Sequence, residues 1–96
     1  MDGGDRTRAE ASFEIVNDLG LHARAATKLV QLASRYAAEV ELEKDGQVAN
    51  AKSVMGVLLL CGAKGTRVTV RARGREAQRA VESIGELIAS RFGEAS

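Results

Sequence analysis

The strand-like segments of this chain carry apolar side chains on one face and polar side chains on the other. Residues 11–16, 39–44 and 66–73 alternate between the two types, and in the second segment Val40 and Leu42 alternate with glutamates. A sheet built from such strands packs its apolar face against helices and leaves its polar face to water, which is typical of antiparallel pairing. The alternation therefore predicts an α+β domain with its helices on one side of an antiparallel sheet.

Segments whose apolar residues have helical spacing lie between these strands in the sequence. Apolar residues recur every three or four positions from Ala23, and Ser53 is a good N-cap for a short helix that Gly62 ends. A weaker strand, residues 47–52, follows an Asp-Gly turn signal. The longest helical stripe is formed by Ala77, Ala80, Val81, Ile84, Leu87, Ile88 and Phe92. The predicted order of elements is βαββαβα.

The charges predict which strands are neighbours. The second strand presents Glu39, Glu41 and Glu43 on its polar face, and the fourth presents Arg67 and Arg71. Opposite charges on laterally adjacent strands stabilise a sheet, although each exposed ion pair contributes little. We therefore expect the second and fourth strands to be adjacent.

Length and composition favour one small soluble domain. Ninety-six residues suffice for one modest core, and 14 Lys+Arg against 13 Asp+Glu give no overall attraction to nucleic acid or anionic lipid. One cysteine fits a reducing, cytoplasmic compartment, and no segment resembles a secretion signal or a membrane-inserting span. We predict a flexible N-terminal tail at 1–11, a domain at 12–93 and a C-terminal tail at 94–96.

His22 is the single histidine of the sequence and stands directly before the predicted first helix. The N–H groups of the first helical turn, from about Ala23 to Ala25, would lack intrahelical partners and would face an anion at the positive end of the helix dipole. Arg24 adds a donor fork suited to phosphate oxygens. Because imidazole is a nucleophile near neutral pH, this arrangement suits phosphoryl acceptance. The alternative is an ordinary surface or capping histidine.

Three motifs, in this order, resemble the HPr family, the histidine-containing phosphocarriers of the phosphoenolpyruvate-dependent phosphotransferase system. They are Gly-Leu-His-Ala-Arg-Ala-Ala around His22, Lys-Ser-Val-Met-Gly-Val around Ser53 and Ala-Lys-Gly-Thr-Arg-Val-Thr-Val at 63–70. The resemblance implies an open-faced β-sandwich with strand order 1-4-2-3. It also implies that Nδ1 of His22 takes a phosphoryl group from enzyme I and passes it to an enzyme IIA-type acceptor, while Arg24 steadies the phosphate. We expect a monomeric carrier that needs no cofactor and performs no net reaction alone.

The sequence departs from the family motif at Ala25, where the family usually has proline. Proline would preset the first helical turn, whereas alanine keeps helix propensity and restores a backbone N–H. We expect the helix and the chemistry to survive this change, while the rigidity of the site and its preferred partner are affected. Alanine here, together with the Ser-Arg-Phe-Gly-Glu ending, resembles the nitrogen-related branch of the family, NPr.

The predicted second helix carries two further candidate features. Ser53 matches the position that a regulatory kinase, HPr kinase/phosphorylase, modifies in some family members, although an N-cap role alone also explains a serine there. Val54, Met55 and Leu58 match an apolar docking patch of the family, and burial in the core is the alternative for them. The other apolar residues of this segment are expected in the core: Val57, Leu60 and Cys61.

Two other classes of function stay open. A non-enzymatic regulatory module would use the same surface to bind kinases or transcription factors, and would tolerate glutamine in place of His22. A small RNA-binding domain would use Arg67 and Arg71, although one Tyr and two Phe leave few aromatics for base stacking. One His and one Cys do not make a ligand set, so we predict no metal site.

Overall fold

Four antiparallel strands form one sheet and three α-helices pack against it in a computed structural model, which describes residues 7–96. The elements in chain order are β1 (Arg8–Glu14), α1 (Ala23–Ala33), β2 (Glu39–Lys44), β3 (Gln47–Asn50), α2 (Val54–Leu59), β4 (Arg67–Arg73) and α3 (Ala77–Ala89). This order confirms the predicted βαββαβα arrangement. Within residues 7–96, no helix has the length and apolar character needed to cross a membrane.

The strand order is β1-β4-β2-β3, with each neighbouring pair antiparallel. The predicted adjacency of β2 and β4 is therefore confirmed, and Glu41 lies opposite Arg71. Arg71 forms ion pairs with Glu43 of β2 and Glu10 of β1, each at 2.9 Å. Arg67 lies beyond the part of β4 that pairs with β2, so it does not face the predicted β2 partner. Because two carboxylates already bind Arg71, this side chain is a poor candidate for an RNA contact.

The hydrophobic core lies between the inner face of the sheet and the helices. The inward residues of β2 and β4 are buried, as their alternation predicts: Val40, Leu42, Val68, Val70 and Ala72. α3 lies close to β1, since a Cβ added at Gly85 would come within 2.5 Å of the Phe13 ring. α1 packs against both α2 and α3. These contacts hold the N-terminus of α1 in a fixed position relative to the sheet.

β1 and β3 differ in extent from the predicted strands. β1 pairs with β4 over all of Arg8–Glu14, so it begins before the predicted segment 11–16. Residues 8–11 therefore belong to the sheet and not to the predicted flexible tail, and residues 1–6 of that tail lie outside the described residues. β3 ends at Asn50, because the following residues turn toward α2.

Cys61 is exposed, so its predicted burial is wrong. α2 ends at Leu59, and Cys61 adopts a left-handed backbone conformation with a φ of 53°. That turn takes its side chain out of the helical periodicity on which the prediction rested. Val57 and Leu60, the other core residues predicted in this segment, are buried.

The C-terminal helix is shorter than its apolar stripe predicts. α3 ends at Ala89, and Phe92 lies in a following 3-10 turn, Arg91–Gly93, with a φ of 55°. The Phe92 side chain is nevertheless fully buried. The apolar spacing therefore correctly predicted that Phe92 is a core residue, but the prediction that it lies on the helix is wrong.

Candidate functional site

His22 is the N-cap residue of α1. Its backbone is extended, with φ of −74° and ψ of 177°, and its carbonyl accepts a hydrogen bond from the Ala26 N–H at 2.8 Å. The N–H of Leu21 donates to the Gly62 carbonyl at 2.8 Å, which anchors the preceding loop. Gly20 permits this approach, because its φ is +65° and an added Cβ would lie 2.4 Å from the same carbonyl oxygen. The loop after α2 thus holds His22 at the start of α1.

The start of α1 presents free donors beside the imidazole. The N–H groups of Ala23, Arg24 and Ala25 precede the first intrahelical hydrogen bond, and the His22 side chain does not cap them. These groups lie at the positive end of the helix dipole, and the first turn contains no acidic residue. Arg24 is exposed and forms no ion pair with any residue from 7 to 96. Backbone donors and a free guanidinium together can bind a phosphate-like oxyanion.

A carboxylate from the C-terminal end of the chain contacts the imidazole. Glu94 Oε2 is hydrogen-bonded to His22 Nε2, and Glu94 Oε1 accepts a hydrogen bond from Asn17 Nδ2 at 2.9 Å. Asn17 is fully buried, and its Nδ2 also donates to the Gly20 carbonyl at 2.9 Å. The hydrogen bonds from His22 and then Asn17 hold the pKa of the Glu94 carboxyl below its usual range. Glu94 is therefore ionised at neutral pH.

The last residues of the chain lie against α1 and against the loop that precedes His22. Lys28 Nζ donates to the Phe92 carbonyl at 2.7 Å, and the Asp18 N–H donates to the Ser96 carbonyl at 3.1 Å. These two hydrogen bonds hold the segment on either side of Glu94. A cleft of about 440 Å³ lies between it and the start of α1, and is lined by Leu19, His22, Ala23, Arg24, Glu94, Ala95 and Ser96.

The short helix α2 carries the other predicted functional residues. Ser53 Oγ accepts a hydrogen bond from the Gly56 N–H at 3.1 Å, which confirms its role as N-cap. Met55 is 65% exposed, whereas Val54 and Leu58 are partly buried and pack against the core. The fold therefore leaves Met55 accessible to a partner and gives the other two a share in the core.

Comparison with known proteins identifies the family. A family model described as the PTS HPr component phosphorylation site matches residues 9–90, a range that includes His22 and Ser53. The chain belongs to the HPr family. It is 45% identical over 80 residues to a phosphocarrier protein HPr of Cupriavidus necator, a match that covers 83% of this chain and 90% of that protein.

Further HPr-family relatives match nearly the whole chain. A phosphocarrier protein NPr of Shewanella violacea is 42% identical over 90 residues, covering 94% of this chain and 99% of the relative. A crystal structure of HPr from Thermoanaerobacter tengcongensis superposes with a TM-score of 0.88 at 40% identity, covering 92% and 99% of the two chains. The open-faced β-sandwich is therefore confirmed. Since the relatives include both HPr and NPr proteins, assignment to the nitrogen-related branch stays a prediction.

The structure brings one group of the predicted HPr-family site residues together. His22, Ala23 and Arg24 line one cleft at the helix start, whereas Ala25, the next residue of α1, is fully buried. The sequence analysis did not predict three residues that lie around the His22 site: Asn17, Leu19 and Glu94. Leu19 is 69% exposed in the loop before the histidine, and an apolar residue in an Asn-Asp-Leu-Gly turn was a signal that could have been used.

Removing the Ser53 hydroxyl should destabilise this HPr-family protein without affecting the His22 site. We expect Ser53→Ala to lower the free energy of unfolding by about 1 kcal/mol, because the Gly56 N–H loses its capping acceptor. Urea denaturation followed by circular dichroism measures the change. Ser34→Ala removes an exposed hydroxyl and serves as control, with an expected change within about 0.5 kcal/mol. Equal losses in both variants would contradict the capping role.

Proposed function

We propose that this protein is a phosphoryl carrier that accepts a phosphoryl group from enzyme I on Nδ1 of His22 and passes it to an enzyme IIA-type acceptor. The observation that carries the proposal is the position of His22, whose imidazole lies beside the first N–H groups of α1 and beside Arg24, which forms no ion pair within residues 7–96. A phosphoryl group on this ring would find donors for its oxygens already in place.

Transfer to His22 requires only a nucleophile and charge stabilisation from this chain. The Nδ1 lone pair forms a bond to phosphorus while the bond from phosphorus to the donor's leaving atom breaks, and that atom keeps the electron pair. Arg24 and the backbone N–H groups of Ala23 and Ala25 would bind the phosphoryl oxygens during the transfer. The remaining catalytic groups would come from the donor and acceptor enzymes, which agrees with a carrier that performs no net reaction alone.

An exposed apolar surface would dock the partner enzymes. Met55 on α2 and Leu19 beside His22 are 65% and 69% exposed, so each offers apolar area that a partner could bury. We propose that Val54 and Leu58 support Met55 from the core side of α2. A flexible thioether suits contact with more than one partner, as successive docking with donor and acceptor requires.

Phosphoenolpyruvate-driven phosphorylation tests the function directly. The purified protein is incubated with phosphoenolpyruvate and catalytic amounts of enzyme I, in parallel arms with a sugar-type and a nitrogen-type enzyme. Intact mass spectrometry should show a gain of one phosphoryl group per chain, which acid removes and an added enzyme IIA-type protein takes over. No mass gain with either enzyme would overturn the carrier proposal and favour a regulatory binding module.

Arg24 should set the rate of phosphoryl acceptance. We expect Arg24→Ala to slow transfer from enzyme I by about 10- to 100-fold, since a hydrogen bond from a charged donor contributes about 1.5–3 kcal/mol. Arg24→Lys should recover part of the rate, because it keeps the charge but not the planar donor fork. Initial rates at saturating enzyme I measure the effect. Arg35→Ala removes an exposed charge beyond the other end of α1, and an equal loss there would argue against a local role.

A further inference from the structure

The hydrogen bond between His22 and Glu94 determines which imidazole nitrogen is free. Hydrogen bonds from His22 and Asn17 keep the pKa of the Glu94 carboxyl low, so the group is a carboxylate at neutral pH. A carboxylate can only accept hydrogen bonds, and Nε2 must therefore carry the proton and donate it. In the neutral ring the other nitrogen, Nδ1, then has no proton and keeps its lone pair.

We propose that Glu94 is a positioning residue for phosphoryl transfer, which holds the His22 ring through Nε2 so that the Nδ1 lone pair is presented to the incoming phosphorus. This inference rests on the proposed carrier function. It adds a residue 72 positions away along the chain to the site at the start of α1.

The tautomer with its proton on Nε2 suits both the acceptance and the release of the phosphoryl group. When the Nδ1–phosphorus bond forms, no proton has to leave Nδ1, and the positive charge that develops on the ring lies next to the Glu94 carboxylate. When the phosphoryl group moves on, the Nδ1–phosphorus bond breaks and Nδ1 takes the electron pair. Because Nε2 still carries its proton, the leaving group is a neutral imidazole and not an imidazolate anion. Glu94 therefore favours acceptance and release without being consumed in either step.

Glu94 is itself held firmly enough to orient a ring. Its second carboxylate oxygen accepts from Asn17 Nδ2, and Asn17 is fully buried. The backbone just before it is fixed by the buried Phe92 side chain and by the Lys28 hydrogen bond to the Phe92 carbonyl. Glutamine in place of Glu94 has one acceptor oxygen where the carboxylate uses two, so it can serve His22 or Asn17 but not both.

Steady-state kinetics and the imidazole NMR signals together test the proposal. We would compare wild type with Glu94→Gln and Glu94→Ala, and use Glu86→Gln as a control, since Glu86 is an exposed glutamate on α3 outside the cleft. The rate measured is phosphoryl transfer from enzyme I, resolved into kcat and KM for the carrier. With nitrogen-15 labelling, the imidazole signals can be assigned to His22 directly, because the sequence contains a single histidine.

We expect Glu94→Ala to lower kcat by about tenfold with little change in KM, a loss equivalent to one charge-assisted hydrogen bond, and Glu94→Gln to lower it less, because its amide oxygen can still accept from Nε2. The wild-type spectrum should show a slowly exchanging, downfield Nε2 proton, and this signal should be lost in Glu94→Ala but retained in Glu86→Gln. An unchanged kcat in both Glu94 variants, or a wild-type ring without a protected Nε2 proton, would overturn the proposal.

The experiment separates this inference from the function on which it rests. If wild type accepts no phosphoryl group, the carrier function fails, and the NMR arm still reports whether Glu94 holds Nε2. If wild type is active and the Glu94 variants match it, the carrier function stands and the positioning role fails. Thermal stability is measured for every variant. If the Glu94 variants are destabilised no more than Glu86→Gln, and kcat falls only in the Glu94 variants, a purely structural effect of Glu94 is excluded.

Discussion

Replacing His22 by alanine should reduce phosphoryl acceptance from enzyme I to an undetectable level. The sequence contains one histidine, so no second imidazole can take the group, and the neighbouring N–H groups bind oxyanions but cannot attack phosphorus. The fold should survive, because the His22 side chain is partly exposed and makes no capping hydrogen bond. The variant also loses the hydrogen bond to Glu94, so we expect the free energy of unfolding to fall by up to about 3 kcal/mol, which is less than the total stability of about 5–15 kcal/mol typical of small domains.

Intact mass spectrometry after incubation with phosphoenolpyruvate and enzyme I gives the measurement, with urea denaturation as the check on folding. His22→Gln is the matched variant that separates chemistry from binding. It should carry no phosphoryl group yet bind enzyme I about as well as wild type, because the docking surface is unchanged. A regulatory module would instead keep its full biological effect with glutamine at this position. An acid-labile phosphoryl group on His22→Ala would place the acceptor elsewhere.

The fold could be predicted from the sequence to a large extent, because its strands obey a simple rule. In β2 and β4, buried residues alternate with more exposed ones, so the period of two identifies both strands, and the inward residues Val40 and Val70 are fully or almost fully buried. The opposite charges of Glu41 and Arg71 then predict that β2 and β4 are neighbours, and the two residues do lie opposite each other. Errors lie where the backbone leaves regular geometry, as at Cys61, whose left-handed φ no periodicity reveals.

The site could be predicted only in its local part. His22 and Arg24 are neighbours in the sequence and at the start of one helix, so capping rules and the helix dipole place them together. Glu94 meets His22 and Asn17 through tertiary folding alone, and an isolated glutamate in an apparent tail carries no local signal. Their encounter depends on the turn after α3, which directs the chain back across the start of α1.

That turn makes Phe92 the second residue whose loss should have a large effect. We expect Phe92→Ala to lower the free energy of unfolding by about 3–5 kcal/mol, because it removes a fully buried aromatic side chain and leaves a cavity. Domains of this size have about 5–15 kcal/mol in total and lose about 4–8 °C of Tm per kcal/mol. The variant should therefore melt more than about 10 °C below wild type in differential scanning calorimetry.

Phe92→Leu is the control for this substitution, since it keeps an apolar side chain of considerable volume and should cost much less. A loss in Phe92→Ala no greater than in Phe92→Leu would show that the cavity is not the cause.

Phe92 also links the core to the proposed phosphoryl-acceptor site. Its left-handed φ costs about 1–2 kcal/mol for a residue with a Cβ, whereas complete burial of such a side chain contributes about 1.5–3 kcal/mol. Burial of the ring therefore offsets much of the strain in this turn, where Arg91 also has a left-handed φ of 59°, and the turn is held in place because the ring occupies the core. Without the ring the turn loses its anchor, and the carboxylate of Glu94 should leave Nε2 even in molecules that remain folded. In Phe92→Ala held well below its Tm, we therefore expect the protected Nε2 proton of His22 to disappear, whereas Phe92→Leu should retain it.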